Sequence, residues 1–188
     1  MVKLIAIWAA AALVALGLGY KIMHPAPSSE APEFTLPALQ IDIENRFGDV
    51  DHLSSQDLAE MPKHTVMIFD TREAQEYSVS HIENAVRVNP SISAQVFAQQ
   101  YETLAAGKTL VFYCSVGVRS SEIAQKVAQA LPQAGPIYNL RGGLFGWHNE
   151  GRPLVTDGKP AISIHPYNEH WGQLISRPET IKYNDNGE

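Results

Sequence analysis

Apolar and polar positions fall in blocks along the chain, and the period changes from block to block. QIDIE (40–44) alternates apolar with polar residues and predicts a short strand. In SSQDLAEM (54–61), Ser54 stands at an N-cap position with Asp57 three residues on, and Leu58 and Met61 follow at helical spacing. TVMIFD (65–70) is a continuous apolar run closed by a carboxylate, the pattern of a strand covered on both faces. REAQEY (72–77) predicts a short helix and AVRV (85–88) a short strand. In SISAQVFAQQYETLAA (91–106), Ile92, Val96, Phe97, Tyr101 and Leu104 recur at helical spacing, and TLVFY (109–113) is a second uninterrupted apolar strand. RSSEIAQKVAQAL (119–131) predicts an amphipathic helix with Ile123, Val127, Ala130 and Leu131 inward, and PIYNL (136–140) is a last strand before Gly142 and Gly143. Strands alternating with helices predict an α/β domain with a mostly parallel central sheet flanked by helices.

The start of the chain has no such alternation. LIAIWAAAALVALGLGY (4–20) carries no charge and is apolar all round, so it predicts a hydrophobic helix that meets lipid. Its span of about 25 Å is slightly short of a hydrocarbon core of about 30 Å, though Lys21 is placed to snorkel. Residues 1–23 therefore read either as a membrane anchor or as a cleaved secretory signal, with Ala15 and Gly17 at the small positions of a cleavage site. The α-amino group and Lys3 before the run, against Lys21 alone close after it, favour the N-terminus inside. The domain is then expected in the cell envelope, anchored in the inner membrane and facing the periplasm, or soluble in the periplasm after cleavage. The stretch 24–36, with Pro25, Pro27 and Pro32, reads as a semi-rigid linker. The folded domain is expected over 37–155, and 156–188 reads as a C-terminal tail too short and polar for a second domain.

Charge narrows the partners. Lys and Arg total 14 against 20 Asp and Glu, a formal net charge of −6, and no basic stretch follows a phosphate backbone, so nucleic acid is not an expected partner. Within the tail, HPYNEHW (165–171) offers His165, Glu169 and His170. Pro166 interrupts any helix that would align them, and the segment is instead expected to pack Tyr167 and Trp171 onto the domain, with no metal site.

The candidate chemistry sits in CSVGVRS (114–120), which holds the single cysteine. A lone cysteine either packs as a small hydrophobe or serves as a reactive thiol. Cys114 falls where a parallel strand ends and a helix begins, the crevice in which α/β proteins bind ligands. Gly117 frees the loop to turn successive N–H groups toward one spot, the helix N-terminus adds partial positive charge, and Arg119 adds a full one. Such surroundings favour a thiolate.

These residues resemble a rhodanese-like domain, the fold of sulfurtransferases. DTREAQEYSVSHIENAV (70–86) is similar to the family's opening motif, through Asp70, Arg72, Glu76, Tyr77, His81 and Ile82. CSVGVRS is similar to its loop of Cys, four residues and Arg closing on Ser, and NLRGGLFGWHNEGRPL (139–154) to its ending of a Gly pair, a Trp and a Gly before Pro. The resemblance implies that Cys114 takes a sulfane sulfur from thiosulfate or a persulfide donor and passes it to a thiol or other thiophilic acceptor, with no cofactor. It implies substrate binding by Ser115, Val116, Gly117, Val118, Arg119 and Ser120, with Arg119 neutralising charge at the entrance and Asp70 and Arg72 in support. His81 is expected as a hydrogen-bonded support, Trp147 in the core and His148 facing solvent. The alternatives are a sulfur carrier or partner-binding module without turnover, and a phosphatase-like enzyme; phosphatase members have five residues between Cys and Arg, whereas four stand here. Ser80 and Asn84 replace two family glycines, and Val116 stands where several thiosulfate-using members carry a basic residue, which favours thiol-borne sulfur over a small dianion.

Overall fold

The computed structural model describes residues 34–183. The expected hydrophobic helix at 1–23 and nearly all of the linker lie outside the described residues. Among the described residues, no helix is long and apolar enough to cross a membrane.

Five strands form one parallel sheet in the order β1-β5-β4-β2-β3: β1 (Asp51–Leu53), β2 (Val66–Asp70), β3 (Val86–Arg87), β4 (Thr109–Tyr113) and β5 (Ile137–Leu140). β4 lies at the centre. Its apolar run splits by the two-residue period of a strand. Leu110 and Phe112 face a cluster with Ile43, Phe69, Phe97, Ile123 and Val127, and Val111 and Tyr113 face one with Leu58, Leu140, Leu144, Phe145 and Trp147. The first layer is built by α1 (Leu36–Arg46), α4 (Ala94–Ala105) and α5 (Val118–Ala130). The second is built by α2 (Ser55–Glu60), α6 (Gly143–Asn149) and the segment beyond residue 156. The short helix α3 (Ala74–Val79) joins β2 to β3.

Two expectations from the residue pattern are corrected. QIDIE is the middle of helix α1: Thr35 Oγ1 accepts from Ala38 N at 3.4 Å as N-cap, and Ile43 and Phe47, four apart, are buried while Ile41 is exposed. The helical period over residues 36–47 outweighs a two-residue alternation of Ile41 and Ile43. The outermost strand is Asp51–Leu53 instead, paired with β5 through Asp51↔Tyr138 and Leu53↔Leu140. In α4, Phe97 and Ala105 turn inward, whereas Val96 and Leu104 face solvent.

Beyond the last parallel strand the chain stays on the domain. β6 (Leu154–Thr156) and β7 (Lys159–Ala161) form an antiparallel ribbon, and His81 bridges to it by exchanging backbone bonds with Val155 at 2.9 Å each way. Ile164, His165, Leu174 and Ile175 are buried, and α7 (Glu169–Gly172) is capped by Asn168. Ser80 ties into this segment, its hydroxyl donating to Ser163 O at 2.6 Å; its φ of −171° is extended backbone that needs no glycine, whereas Asn84 takes a left-handed φ of 64°.

His148 is fully buried, not solvent-facing, because this C-terminal segment covers it. Its Nε2 pairs with Thr180 Oγ1 at 2.8 Å, and Arg177 reaches its Nδ1 at 3.1 Å. Burial, reinforced by the Arg177 charge, lowers the imidazolium from 6.5 to about 4. The unfolded chain takes this proton near 6.5 and the native state resists it, so the stability from neutral His148 is complete above 6.5 and is lost as pH falls toward 4. The melting temperature is expected to decline across that window and to decline less steeply in His148→Gln. Equal slopes for the two proteins would exclude His148 as a source. His52 and His165, also lowered by burial, act in the same direction and are common to both proteins.

Candidate active site

Strand β4 delivers Cys114 to the carboxyl edge of the sheet, and Gly117, with φ 112°, turns the chain into α5. The Gly117 N–H donates to Cys114 Sγ at 3.1 Å. The first N–H groups of α5, on Val118, Arg119 and Ser120, have no acceptor within the helix and lie beside the same loop. From behind, the start of α6 pins the loop: Leu144 N donates to Cys114 O at 2.8 Å and Phe145 N to Ser115 O at 2.9 Å. This close approach explains the second glycine of the pair. A Cβ on Gly143, at φ 56°, would stand 2.5 Å from Cys114 O and 2.7 Å from Ser115 O. Gly143→Ala is therefore expected to cost about 1–3 kcal/mol and to displace the loop. A variant melting like the parent, with the same thiol reactivity toward an alkylating probe, would contradict this.

Under the loop lies Glu76, a fully buried carboxylate from α3. Arg119 clamps it bidentately, Nη1 to Oε2 and Nη2 to Oε1, both at 2.9 Å, and Ser115 Oγ donates to Oε1 at 2.8 Å. Burial pushes the Glu76 carboxyl up, but the Arg119 hydrogen bonds and charge outweigh it and hold the group below its ordinary value. Burial likewise pulls Arg119 down, and Glu76 with the Cys114 sulfur more than reverses it. Arg119 is expected to neutralise charge at the entrance. In the structure it is paired with buried Glu76, and its charge still acts on the Cys114 sulfur. The motif contains Glu76, yet nothing local signals its partner 43 residues away.

Cys114 is 1% exposed and reaches solvent through a cavity of about 220 Å³ that Ser115, Val116, Val118 and Arg119 share with Tyr167 and Trp171. Tyr167 lies over the Arg119 guanidinium at 5.1 Å. Of the other expected binding residues, Ser120 turns its hydroxyl away to Asn139 Oδ1 at 2.6 Å and offers the site its backbone alone. Asp70 and Arg72 are not in the cavity. They form a fully buried ion pair at 2.6 Å, and Arg72 Nη2 also donates to Ser80 O at 2.7 Å, joining the end of β2 to the end of α3. His81 donates from Nδ1 to Tyr77 O, 3.0 Å away, and stacks on the Tyr77 ring. His165 receives the Tyr167 N–H at 3.0 Å and His170 stacks on Phe34; among the described residues no group of three acidic, His or Cys side chains is placed to hold a metal. A larger cavity of about 270 Å³, lined by Leu58, Ile68, Trp147 and Pro153 among others, contains no thiol.

Comparison with known proteins agrees with this architecture. The family profile described as Rhodanese-like domain matches residues 54–150. An uncharacterized protein of Synechocystis sp. is 35% identical over 104 residues, covering 53% of this chain and 52% of that protein. A tRNA uridine(34) hydroxylase of Aster yellows witches'-broom phytoplasma is 33% identical over 102 residues, covering 50% of this chain and 31% of that protein. The chain thus spans about half or less of these curated relatives. Among solved structures, a thiosulfate sulfurtransferase of Pseudomonas aeruginosa superposes with a TM-score of 0.54 at 18% identity, over 76% of this chain and 26% of that one. A Bacillus halodurans protein superposes with a TM-score of 0.53 at 20% identity, over 72% of this chain and 98% of that one. At these identities the superpositions establish the fold alone.

Proposed function

The chain belongs to the rhodanese-like domain family, and from that premise we propose that it is a sulfurtransferase working through a Cys114 persulfide. The Cys114 thiolate attacks the outer sulfur of a donor, an S–S bond forms, and the donor's own bond to that sulfur breaks with the electron pair leaving on the donor fragment. A thiophilic acceptor then attacks the terminal sulfur and returns Cys114 as thiolate. The Gly117 N–H stabilises negative charge on Sγ, and the open N–H groups at the start of α5 stabilise charge on the added sulfur. Ser115, Glu76 and Arg119 hold the loop in shape.

The observation that supports this reading most is the Cys114 sulfur itself, buried, hydrogen-bonded by the loop and open to a cavity at a helix N-terminus. A packing cysteine needs no such cavity. The hydroxylation of tRNA uridine named for the phytoplasma relative is not proposed for this chain, which covers 31% of that protein and carries a net charge of −6. The reading is tested by intact mass of the purified protein before and after thiosulfate or polysulfide. One added sulfur, removed again by cyanide, is expected; an unchanged mass with every donor would refute it.

A further inference from the structure

The walls of the Cys114 cavity fit a particular kind of donor. Among the described residues that line it, Arg119 carries the one cationic side chain, and its guanidinium is already engaged by the bidentate contact with buried Glu76. Beside Cys114 and Ser115, whose hydroxyl is engaged by Glu76, the wall is Val116, Val118, Tyr167 and Trp171, which are apolar or aromatic. A dianion entering here meets the backbone N–H groups of the loop at one end and loses its hydration against the apolar remainder of the wall.

Tyr167 is placed at some cost. Its φ of 67° is a left-handed conformation rarely adopted by a bulky side chain. It is held there by the Tyr167 N–H to His165 Nδ1 bond at 3.0 Å, with His165 itself buried, and by the Asn168 cap of α7 directly after it. The result sets the ring over Arg119 at the cavity wall while 48% of the residue's surface stays exposed. Trp171, two residues into α7, packs against the core and supplies the second aromatic surface. At about 220 Å³ the cavity is smaller than the roughly 300–1,000 Å³ that encloses a drug-sized ligand, so it suits a small molecule.

Resting on the sulfurtransferase reading, we propose that Tyr167 and Trp171 select the donor, and that the site takes a small organic sulfane-sulfur compound with a flat apolar body and at most one negative charge in preference to inorganic thiosulfate. An aromatic thiosulfonate is the probe with these properties. The Cys114 thiolate attacks its terminal sulfur, the S–S bond to the enzyme forms, and the bond to the sulfonyl sulfur breaks. The sulfinate leaves with the electron pair, and the persulfide keeps the second negative charge. With thiosulfate the same exchange releases sulfite.

The test compares three donors with the full chain: thiosulfate, methanethiosulfonate and benzenethiosulfonate, each kcat/KM divided by the donor's rate with free cysteine to remove intrinsic reactivity. Benzenethiosulfonate is expected to exceed methanethiosulfonate by about tenfold, the scale of one aromatic contact, and methanethiosulfonate to exceed thiosulfate. Tyr167→Ala is expected to reduce the benzene-to-methane ratio about tenfold, and Tyr167→Phe to retain it. Trp171→Phe is expected to retain the ratio too, because a ring remains. Equal normalised values for the three donors, or a ratio untouched by Tyr167→Ala in a variant that still accepts sulfur, overturns the selection while sulfur transfer stands. No added sulfur on the parent protein from any donor overturns both.

Discussion

Cys114→Ser is expected to abolish sulfur transfer and leave the fold in place. The hydroxyl is smaller than the thiol by little, fits the same pocket and still accepts from Gly117 N–H. It keeps its proton at neutral pH and its oxygen does not hold a transferable sulfur, so no stored intermediate forms. The measurements are cyanide-dependent thiocyanate formation and intact mass after donor, with thermal melting as the control. Turnover should fall to background, and the change in stability should stay below about 3 kcal/mol, the upper end for burying a hydroxyl. Undiminished turnover by a folded variant would sink the assignment of Cys114.

The largest stability effect is expected at Asp70. Both members of the Asp70–Arg72 pair are fully buried, and Asp70 holds Arg72 through its Nε, its Nη2 and its backbone N–H. Burial opposes the Arg72 charge, and Asp70 reverses that penalty so that Arg72 stays protonated. Asp70→Ala strands the guanidinium without its counter-ion, which costs about 3–5 kcal/mol. Against a total of roughly 5–15 kcal/mol, this is enough to unfold much of the population. Removing both charges, as in Asp70→Ala with Arg72→Leu, is expected to recover part of the loss because no orphan ion remains, though Ser80 O then loses its donor. Urea denaturation measures both. A single variant more stable than the double would show that the charge pairing is not what holds this corner.

The effects at Cys114 and Asp70 differ in kind because the residues occupy different parts of one edge. Asp70 ends β2 and Cys114 follows β4, neighbouring strands paired through Asp70↔Tyr113, and Thr71 N donates to Tyr113 O at 2.9 Å. The ion pair braces the strand ends from which the thiol loop springs. A loss at Asp70 should therefore reduce activity only as it reduces folded protein, and activity per folded molecule separates the two roles.

The amino-acid sequence by itself determined the α/β alternation, because each of these elements carries its period locally. TLVFY reads as a two-faced strand since four consecutive apolar residues, Leu110 to Tyr113, have no exposed side to serve, and they fill both core clusters. Ser54 reads as a cap since its acceptor and the N–H of Asp57 are three residues apart, and that bond forms at 3.0 Å. The position of Cys114 followed from the same local order of strand, loop and helix. Tertiary structure decided the rest. The alternation in QIDIE spans too few residues to separate periods of 2.0 and 3.6, and the cap at Thr35 with burial of Ile43 and Phe47 made it a helix. A three-residue strand such as Asp51–Leu53 carries no period at all; its pairing with β5 defines it. Arg119 gains its carboxylate partner only when Glu76 is brought from α3, and His148, expected to face solvent, is covered by Arg177 and Thr180. The aromatic wall of the cavity exists because residues 165–171 return to the edge where Cys114 stands. Each of these depends on contacts between residues far apart in the chain, which burial and charge compensation select only once the sheet has assembled.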